Sequence, residues 1–320
     1  MPELKKLRGK KVLVTGGAGF IGSHIIDRCA EAEEMETYSV DIKRPAYANR
    51  KACYFQMDIL NTMAMEWMFS LVKPDYVIHC AAMARIQPSF ERPDDYFKTN
   101  VLGTRVILEM SKKFDVKRVI FSSSSSVYGF QESLPFTENL KDNPLNPYAH
   151  TKLMSENLCQ FMGEMTGGPE TVCLRYFNVF GPRQPSKAND PYATVIGIFF
   201  DQYGRGEPMT VVPDGFQRRD FTHVYDVAEV NVLAMISPKV GQGEIINIGF
   251  GKNYSVFDVC AKIFDCQPEE LVEGKDFRFI ASRRGEALAT LANISKARDL
   301  LGWQPKIPFS KGIEMLKNQK

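Results

Sequence analysis

A glycine-rich turn near the N-terminus constrains the fold of this chain more than any other stretch. The apolar and β-branched run Val12–Thr15 predicts a short buried strand, and an apolar helical period begins at Phe20. Between and beyond them, Gly17, Gly19 and Gly22 fit the pattern G-x-G-x-x-G. The first glycine allows a tight turn, the second lets the backbone approach a pyrophosphate, and the third lets the helix pack closely on the strand. The stretch therefore predicts a dinucleotide bound at a helix N-terminus.

Two acids at the ends of the next strands extend this prediction. Tyr38–Asp41 closes a second strand about 20 residues after Gly22, where a carboxylate would accept hydrogen bonds from ribose hydroxyls. A carboxylate there would repel the extra phosphate of NADP, so we expect NAD, although Lys43 and Arg44 lie nearby. Asp58 ends the following apolar strand and is expected to reach the adenine. The alternative is that Asp58 stands at the N-terminus of the next helix and has no contact with the cofactor.

Composition excludes several classes of protein. The chain has 320 residues, of which 44% are hydrophobic and 24% charged, and this is ordinary for a soluble enzyme. A net charge of +2 without a long basic run predicts no nucleic-acid partner. No signal peptide and no long apolar stretch is evident, so we expect a cytoplasmic protein without a membrane partner. The 7 cysteines and 4 histidines show no ligand-like spacing, which predicts reduced thiols and no metal.

Strands and helices alternate through residue 178, which predicts an α/β chain with a Rossmann-type, doubly wound parallel sheet. The strands are expected at 12–15, 38–41, 53–59, 76–80, 118–122 and 171–176, and the helices from 20 and over 62–72, 93–114 and 148–165. After residue 178 short strands (210–212 and 244–248) and helices (192–203, 224–236, 255–264 and 295–301) alternate irregularly. We therefore predict an NAD-binding domain over 1–178, to which some later segments can return. The prediction for 179–320 is a smaller, mixed α/β domain that mainly binds substrate.

Three side chains suggest acid–base chemistry. The fifth strand ends in a run of hydroxyls that includes Ser124, at the sheet edge where ligands bind. Tyr148 and Lys152 are four residues apart in a helix and share one face. A tyrosine pKa of about 10 must fall by roughly 3 units, about 4 kcal/mol, for it to act as a base near neutrality. Lys152 and an oxidised nicotinamide are two cations that could lower it. The alternative, a core aromatic beside a solvated lysine, is disfavoured behind a dinucleotide motif.

Together these motifs resemble the extended short-chain dehydrogenase/reductases, and among them the NAD-dependent nucleotide-sugar 4-epimerases of the UDP-GlcNAc/UDP-glucose type. The segments Arg175–Arg183 and Arg219–Val224 belong to the same resemblance. It implies that Tyr148 takes a proton from the sugar 4-hydroxyl while a hydride passes to NAD, and that the hydride later returns to the other face. Ser124 is singled out because the family's catalytic hydroxyl lies four residues before the tyrosine of Val-Tyr-Gly. The cofactor is expected to stay bound throughout.

The resemblance also implies two sets of contacts. The residues expected to bind the cofactor are Gly16, Gly17, Gly19, Phe20, Ile21, Gly22, Asp41, Ile42, Asp58, Ile59, Ala81, Ala82, Asn100, Tyr148, Lys152 and Tyr176. Those expected to bind the substrate are Arg85, Ser124, Ser125, Tyr148, Asn178, Val195, Val211, Arg219, Arg283 and Thr290. The guanidinium groups of arginines are suited to binding a diphosphate. Arg284 is an alternative to Arg283 for this contact, and the other interpretation of each arginine is a charge on the protein surface. Some relatives have a lysine near the cofactor shortly after the fourth strand, whereas this chain has Arg85 in that region, and the role of Arg85 stays open.

The preferred sugar is predicted from a few positions of the resemblance. Dehydratases carry acids where this chain has Ser125 and Ser126, which favours simple epimerisation. Some epimerases of the family have a bulky residue that blocks N-acetylated sugars at the position where this chain has the small Thr290. The segment Asp190–Val195 is also similar to that of the UDP-GlcNAc type. We expect UDP-GlcNAc/UDP-GalNAc, with UDP-glucose/UDP-galactose also accepted. The alternatives are a UDP-glucuronate 4-epimerase, a nucleotide-sugar dehydratase or reductase, and a non-catalytic NAD-binding scaffold. Helices 93–114 and 148–165 resemble those of a family dimer, which predicts a homodimer.

Overall fold

The computed structural model describes residues 2–32, 35–186 and 192–318. The strands are β1 Lys11–Thr15, β2 Glu36–Asp41, β3 Ala52–Gln56, β4 Tyr76–His79, β5 Arg118–Ser124, β6 Glu170–Tyr176, β7 Val179–Phe180, β8 Met209–Val211, β9 Arg218–Asp220, β10 Thr222–His223, β11 Gln242–Ile248, β12 Asn253–Ser255 and β13 Phe277–Phe279. The helices are α1 Phe20–Ala30, α2 Thr62–Val72, α3 Gln87–Glu91, α4 Pro93–Tyr96, α5 Gly103–Lys113, α6 Pro147–Glu164, α7 Val195–Gly204, α8 Val224–Ile236, α9 Val256–Phe264, α10 Ser295–Leu301 and α11 Phe309–Lys317. Short 3-10 turns occupy Pro2–Leu7, Ser125–Tyr128 and Pro268–Glu270.

Seven strands form one parallel sheet in the order β11-β6-β5-β4-β1-β2-β3. The predicted doubly wound parallel sheet is therefore confirmed. The strand expected at 244–248 belongs to this sheet, because β11 pairs with β6 along its length. Its apolar run Ile245–Ile248 faces packed side chains, as is typical of a parallel strand covered on both faces.

Helices cover both faces of the sheet. On one face α1 packs on α8, and Ile25, Ile26 and Val230 share a core there with Trp303. On the other face α2, α5 and α6 enclose Met68, Ile107, Cys159 and their neighbours. Helix α6 lies over β5, β6 and β11, so its N-terminal turn is held near the carboxyl ends of β5 and β6. This position decides where Tyr148 and Lys152 stand.

The remaining elements after residue 178 surround a core of their own. Phe199 of α7, Val211 of β8, Ile263 of α9, Phe277 of β13 and Phe309 of α11 are buried together. Helix α8 and β11, in contrast, lie on the central sheet. The division into domains at residue 178 stays a prediction.

The helix expected over 93–114 is interrupted rather than continuous. Between α4 and α5 the stretch Phe97–Leu102 is a π-helical turn. The carbonyl of Asn100 accepts hydrogen bonds from the hydroxyls of Thr104 and Ser155. The Asn100 carbonyl is thus hydrogen-bonded to side chains instead of only to a backbone amide of the helix, which fits the wider π-helical turn at this point. Such widened turns often occur at functional sites.

Candidate active site

The glycine turn is packed on the protein side and open on the other. Gly16 has φ +75°, and its N–H donates to Val40 O at 2.8 Å. A Cβ at Gly22 would lie 2.2 Å from Gly16 O, and one at Gly17 would lie 2.3 Å from Ser39 Oγ. A Cβ at Gly19 would meet only Gly16 O, at 3.2 Å. The open side at Gly19, together with the free first amides of α1, fits the pyrophosphate of a dinucleotide.

Asp41 is fixed beside this turn at the end of β2. Its carboxylate accepts hydrogen bonds from Ala18 N at 3.0 Å and from Lys43 N at 2.9 Å. Asp58 is exposed and accepts from Leu60 N at 2.9 Å, so it shapes the turn before α2. The cap of α2 is Asn61, whose side chain accepts from Ala64 N. The ribose and adenine contacts of the two acids stay predictions.

Two isoleucines predicted to bind the cofactor have different surroundings. Ile42 follows Asp41 and is exposed, so its side chain is available to a ligand. Ile59 is buried and packs towards Gly103, where a Cβ would lie 2.5 Å from its Cδ1. The side chain of Ile59 therefore supports the wall behind the predicted adenine site.

The segment after β4 passes close to the glycine turn. A Cβ at Gly16 would lie only 2.6 Å from Ala81 N, so the small residues Ala81 and Ala82 follow where space is scarce. Asn100 is buried behind this segment, accepts from Met83 N at 2.8 Å and donates to Met83 O at 3.0 Å. Asn100 therefore holds the segment in place, and its direct contact with a cofactor stays a prediction.

A cavity of about 620 Å³ lies between the carboxyl edge of the sheet and the smaller core. Most of the predicted substrate residues line it, along with four of the predicted cofactor residues, of which Tyr148 belongs to both sets. The predicted residues on its wall are Phe20, Ile21, Arg85, Ser124, Ser125, Tyr148, Tyr176, Asn178, Val195, Arg219, Arg283 and Thr290. Val211 does not line it, because side chains alternate along β8 and this one points into the core. Thr210 and Val212 line the cavity in its place, which corrects the predicted contact.

Ser124 and Tyr148 are brought together at the centre of the cavity wall. Both side chains line the cavity, and the nearby Ser124 hydroxyl lowers the pKa of Tyr148. Burial acts more strongly in the opposite sense and raises the pKa of the phenol above its ordinary value. The positive charge of Arg85 also lowers the pKa of Tyr148. Without a further cation, Tyr148 is therefore held in its protonated form.

Lys152 lies against the end of β5 and is not a solvated lysine. Its side chain is buried, and Nζ donates to Ser122 O at 2.7 Å while lying 4.8 Å from the centre of the Phe121 ring. Burial lowers the pKa of Lys152 to about 8. The charge of Arg85 lowers the pKa of Tyr148, and the contribution of Lys152 to that pKa stays a prediction.

Arg85 was open in the sequence, and the structure gives it a defined place. It has φ +82°, a conformation that costs energy for a residue other than glycine and that clusters at functional sites. Its Nε donates to Tyr192 O at 2.9 Å. The hydroxyl of Tyr96 hydrogen-bonds the adjacent carbonyl of Ala84, and the Tyr96 ring meets the edge of Tyr148 at 6.2 Å. Arg85 is thereby anchored on the same side of the cavity as Tyr148.

Only one of the two consecutive arginines faces the cavity. Arg283 lines it, whereas the guanidinium of Arg284 stacks 3.9 Å from the centre of the Phe90 ring. Arg219 also lines the cavity and lies 3.5 Å from Glu286. The geometry thus favours Arg283, with Arg219, as the pair that faces a diphosphate.

A buried aspartate missed by the sequence interpretation organises the substrate wall. The carboxylate of Asp220 accepts hydrogen bonds from the amides of Phe250, Gly251 and Ala292, at 2.7, 2.9 and 3.1 Å. Its own carbonyl accepts from Asn178 Nδ2 at 3.2 Å. Asp220 follows Arg219 directly, so its place in the Arg-Asp-Phe-Thr-His segment was a usable signal.

Part of one motif lies outside the described residues, namely Asp190 and Pro191 of the segment Asp190–Val195. Among the residues that the structure covers, no helix is long and apolar enough to cross a membrane.

Comparisons with known proteins point to one family. The model of the NAD dependent epimerase/dehydratase family matches residues 12–249. A putative UDP-glucose 4-epimerase of Methanocaldococcus jannaschii is 36% identical over 311 residues, which cover 96% of this chain and 97% of that protein.

Two solved structures share the whole fold with this chain. The UDP-N-acetylglucosamine 4-epimerase of Methanobrevibacter ruminantium M1, in complex with UDP-N-acetylmuramic acid, is 30% identical with a TM-score of 0.84, covering 98% of this chain and 100% of that chain. The UDP-glucuronic acid 4-epimerase of Bacillus cereus, in complex with UDP-glucuronic acid and NAD, is 31% identical with a TM-score of 0.85, covering 97% and 100%. The similar proteins thus differ in the sugar that they are named for.

Proposed function

The chain belongs to the NAD dependent epimerase/dehydratase family and is an NAD-dependent UDP-sugar 4-epimerase, and we propose that it interconverts UDP-GlcNAc and UDP-GalNAc. The observation that carries the choice of sugar is the wall at Thr290. This small side chain is hydrogen-bonded to Asn178 at 3.4 Å, and Ala287 lies three residues before it on the same cavity. Small side chains at these two positions support the proposal that the cavity accepts an acetamido group.

In the proposed mechanism Tyr148 is the base that removes the proton from the sugar 4-hydroxyl. Bound NAD supplies a hydride acceptor and a positive charge near the phenol. Burial keeps Tyr148 protonated until such a charge arrives, so the base forms only in the loaded site. Ser124, whose hydroxyl lies on the same cavity wall and lowers the pKa of the phenol, can hold the reacting oxygen and pass the proton.

The diphosphate end of the substrate has to stay fixed while the sugar turns over. Arg219 and Arg283 line the cavity on the side of the smaller core and can pair with two phosphate groups. We propose that they anchor the diphosphate while the 4-keto sugar rotates beside Ser124 and Tyr148. Rotation presents the other face of the sugar to the cofactor site, where bound NAD would supply the hydride chemistry, so the product would be the epimer without net oxidation.

Direct assay on three sugars tests the proposed substrate. We expect the purified protein to convert UDP-GlcNAc to a mixture with UDP-GalNAc, followed by NMR, with a higher kcat/KM than for UDP-glucose or UDP-glucuronate. Thr290→Tyr should lower kcat/KM for UDP-GlcNAc more than for UDP-glucose, and Thr290→Ser serves as its control. A stable keto product would indicate a dehydratase or reductase instead. A higher kcat/KM for UDP-glucuronate would contradict the proposed sugar.

A uronate is the second candidate because of the polar wall beside Tyr148. Ser125 and Ser126 follow Ser124 on the cavity, and Arg85 contributes a positive charge there. Hydroxyl groups and a cation are suited to a sugar carboxylate. The same assay on UDP-glucuronate decides between the two sugars.

We also propose that the protein is a homodimer. Helices α5 and α6 pack side by side, and α6 exposes Met154 and Phe161 on one face. Their exposed fractions are 47% and 61%. Such a face fits a second copy of the chain that brings the same two helices.

A further inference from the structure

A buried ion pair joins the two elements that carry the proposed catalytic residues. Glu156 follows Tyr148 and Lys152 at the same spacing of four, so the three side chains share one face of α6. Glu156 is completely buried, and so is Arg175 of β6. Arg175 pairs in register with Ser123 of β5, the neighbour of Ser124.

The contacts of this pair are close and specific. Arg175 donates from Nε to Glu156 Oε1 at 2.8 Å and from Nη2 to Oε2 at 2.6 Å, which is a bidentate arrangement. Ser123 Oγ donates to the same Oε1 at 2.5 Å. Asp142 also pairs with Arg175, at 2.8 Å, and the guanidinium lies 4.5 Å from the centre of the Tyr128 ring. One carboxylate on α6 is therefore bonded to both neighbouring strands.

We propose that the Glu156–Arg175 pair, acting through the hydroxyl of Ser123, is a positioning device that fixes the Tyr148 and Lys152 face of α6 against the Ser124 end of β5. This inference rests on the proposed function of those three residues. Stability alone does not require the pair, since well-packed apolar residues often replace a buried ion pair without loss. A bonded pair holds two elements in one register, and a misplacement of about 1 Å in an active site can cost about 100-fold in rate.

Electrostatics supports the same arrangement. The charge of Glu156 raises the pKa of Lys152 and so opposes the effect of burial. The other titratable groups acting on Lys152 in the same sense are the thiols of Cys80, Cys159 and Cys173. Glu156 thus helps to keep Lys152 charged as well as in place.

The test uses Ser123→Ala, because changing Glu156 would leave the Arg175 charge buried beside Asp142 alone and could unfold the protein. Its matched control is Ser111→Ala, since Ser111 is equally buried and its hydroxyl bonds only Ile107 O of its own helix, at 2.7 Å. We expect Ser123→Ala to lower kcat by about tenfold or more with KM nearly unchanged. Both variants should show similar melting temperatures.

A second readout does not depend on turnover. The Ser124 hydroxyl lowers the pKa of Tyr148, and loosening α6 from β5 moves the two side chains apart. The phenol of Tyr148 should therefore ionise at a higher pH in Ser123→Ala than in wild type or Ser111→Ala. The charged and titratable groups around that phenol are Arg85, Tyr96 and, one turn along α6, Lys152. Ultraviolet difference titration of the NAD-bound proteins, with Tyr148→Phe as the blank, measures this ionisation.

The outcomes separate the two proposals. If wild type does not interconvert UDP-sugar epimers, the proposed function fails, and the titration still decides on the positioning device. If wild type is active but Ser123→Ala matches Ser111→Ala in both kcat and Tyr148 ionisation, the positioning device is wrong.

Discussion

At the scale of single residues, Tyr148 is the side chain on which the proposed chemistry depends. Replacing it by phenylalanine removes the base and little volume, so NAD should still bind. We expect Tyr148→Phe to lower kcat for epimer exchange by about 10²- to 10⁴-fold, the range for loss of a general base. NMR of the product mixture measures this, and Tyr38→Phe, a tyrosine that bonds Glu36 on β2, is the control. Undiminished exchange in Tyr148→Phe would refute the mechanism.

Arg85 gives a second prediction at this scale. Its charge lowers the pKa of Tyr148, so its removal should make the base harder to form. Arg85→Gln should shift the rising limb of the kcat/KM–pH profile to higher pH by about 1 unit, or about 1.4 kcal/mol. Arg85→Lys keeps the charge and should shift the limb less. The groups that also face Tyr148 are Ser124, Tyr96 and Lys152, and they are the same in both variants. If the rising limb of the kcat/KM–pH profile lay at the same pH in wild type and Arg85→Gln, Arg85 would not lower the pKa of the base.

At the scale of elements, the glycine turn holds β1 and α1 in close contact. A methyl group at Gly22 would lie 2.2 Å from the carbonyl of Gly16, so Gly22→Ala has to move α1 away from the strand. We expect the purified variant to carry much less bound NAD, measured after denaturation by absorbance or enzymatic assay. Gly204→Ala at the end of α7 is the control, since nothing lies within 4 Å of the added methyl. Equal NAD content in the two variants would show that the turn does not depend on this contact.

Elements whose signals are local could be predicted from the sequence, and those fixed by distant partners could not. The glycine turn and the pair Tyr148 and Lys152 are encoded by short spacings, so both were found. The place of β11 in the central sheet depends on pairing with β6, about 70 residues away in the chain. Its apolar residues alone are equally compatible with a strand of the central sheet and with a short strand of the smaller domain. Val211 was assigned to the wrong wall because a strand of three residues carries too little alternation to fix its phase.

The positioning pair illustrates the same limit within the site. Glu156 stands four residues after Lys152, so its shared face was readable from the sequence. Its partner Arg175 was noted only as the start of a family motif. What joins them is the register of β5 and β6, which brings Ser123 beside Arg175. The spacing of residues along the chain does not determine how two distant strands pair. The contact between Glu156 and Arg175 could therefore be found only from the structure.

At the scale of the whole molecule, the proposed dimer depends on the exposed face of α6. Phe161→Glu places a charge where a partner helix would bury an aromatic ring, so we expect a monomer by analytical ultracentrifugation at concentrations where wild type sediments as a dimer. Val272→Glu puts the same charge on an equally exposed apolar position in the smaller unit and should stay dimeric. A monomeric wild type would overturn the proposed assembly.

Buried histidines make the stability of the whole molecule depend on pH. Burial lowers the pKa of His79 to about 3 and of His223 to about 4, and it lowers the pKa of His24 as well. Because the folded values lie below the unfolded value of about 6.5, the unfolded chain takes up protons first as the pH falls. Stability is therefore fully present above about pH 6.5 and is lost below it. Each histidine contributes up to about 1.4 kcal/mol per pH unit.

Buried acids work in the opposite direction. Burial raises the pKa of Asp220 to about 6, so the folded state holds its proton more tightly than the unfolded chain between about pH 6 and pH 4. Burial also raises the pKa of Asp226, so three histidines oppose two aspartates, and the net effect of acid is destabilising. We expect the free energy of unfolding in urea to fall from about pH 7 to about pH 5. His79→Gln should reduce that slope by close to one proton. A slope in His79→Gln equal to that of wild type would show that His79 does not stay neutral in the folded core.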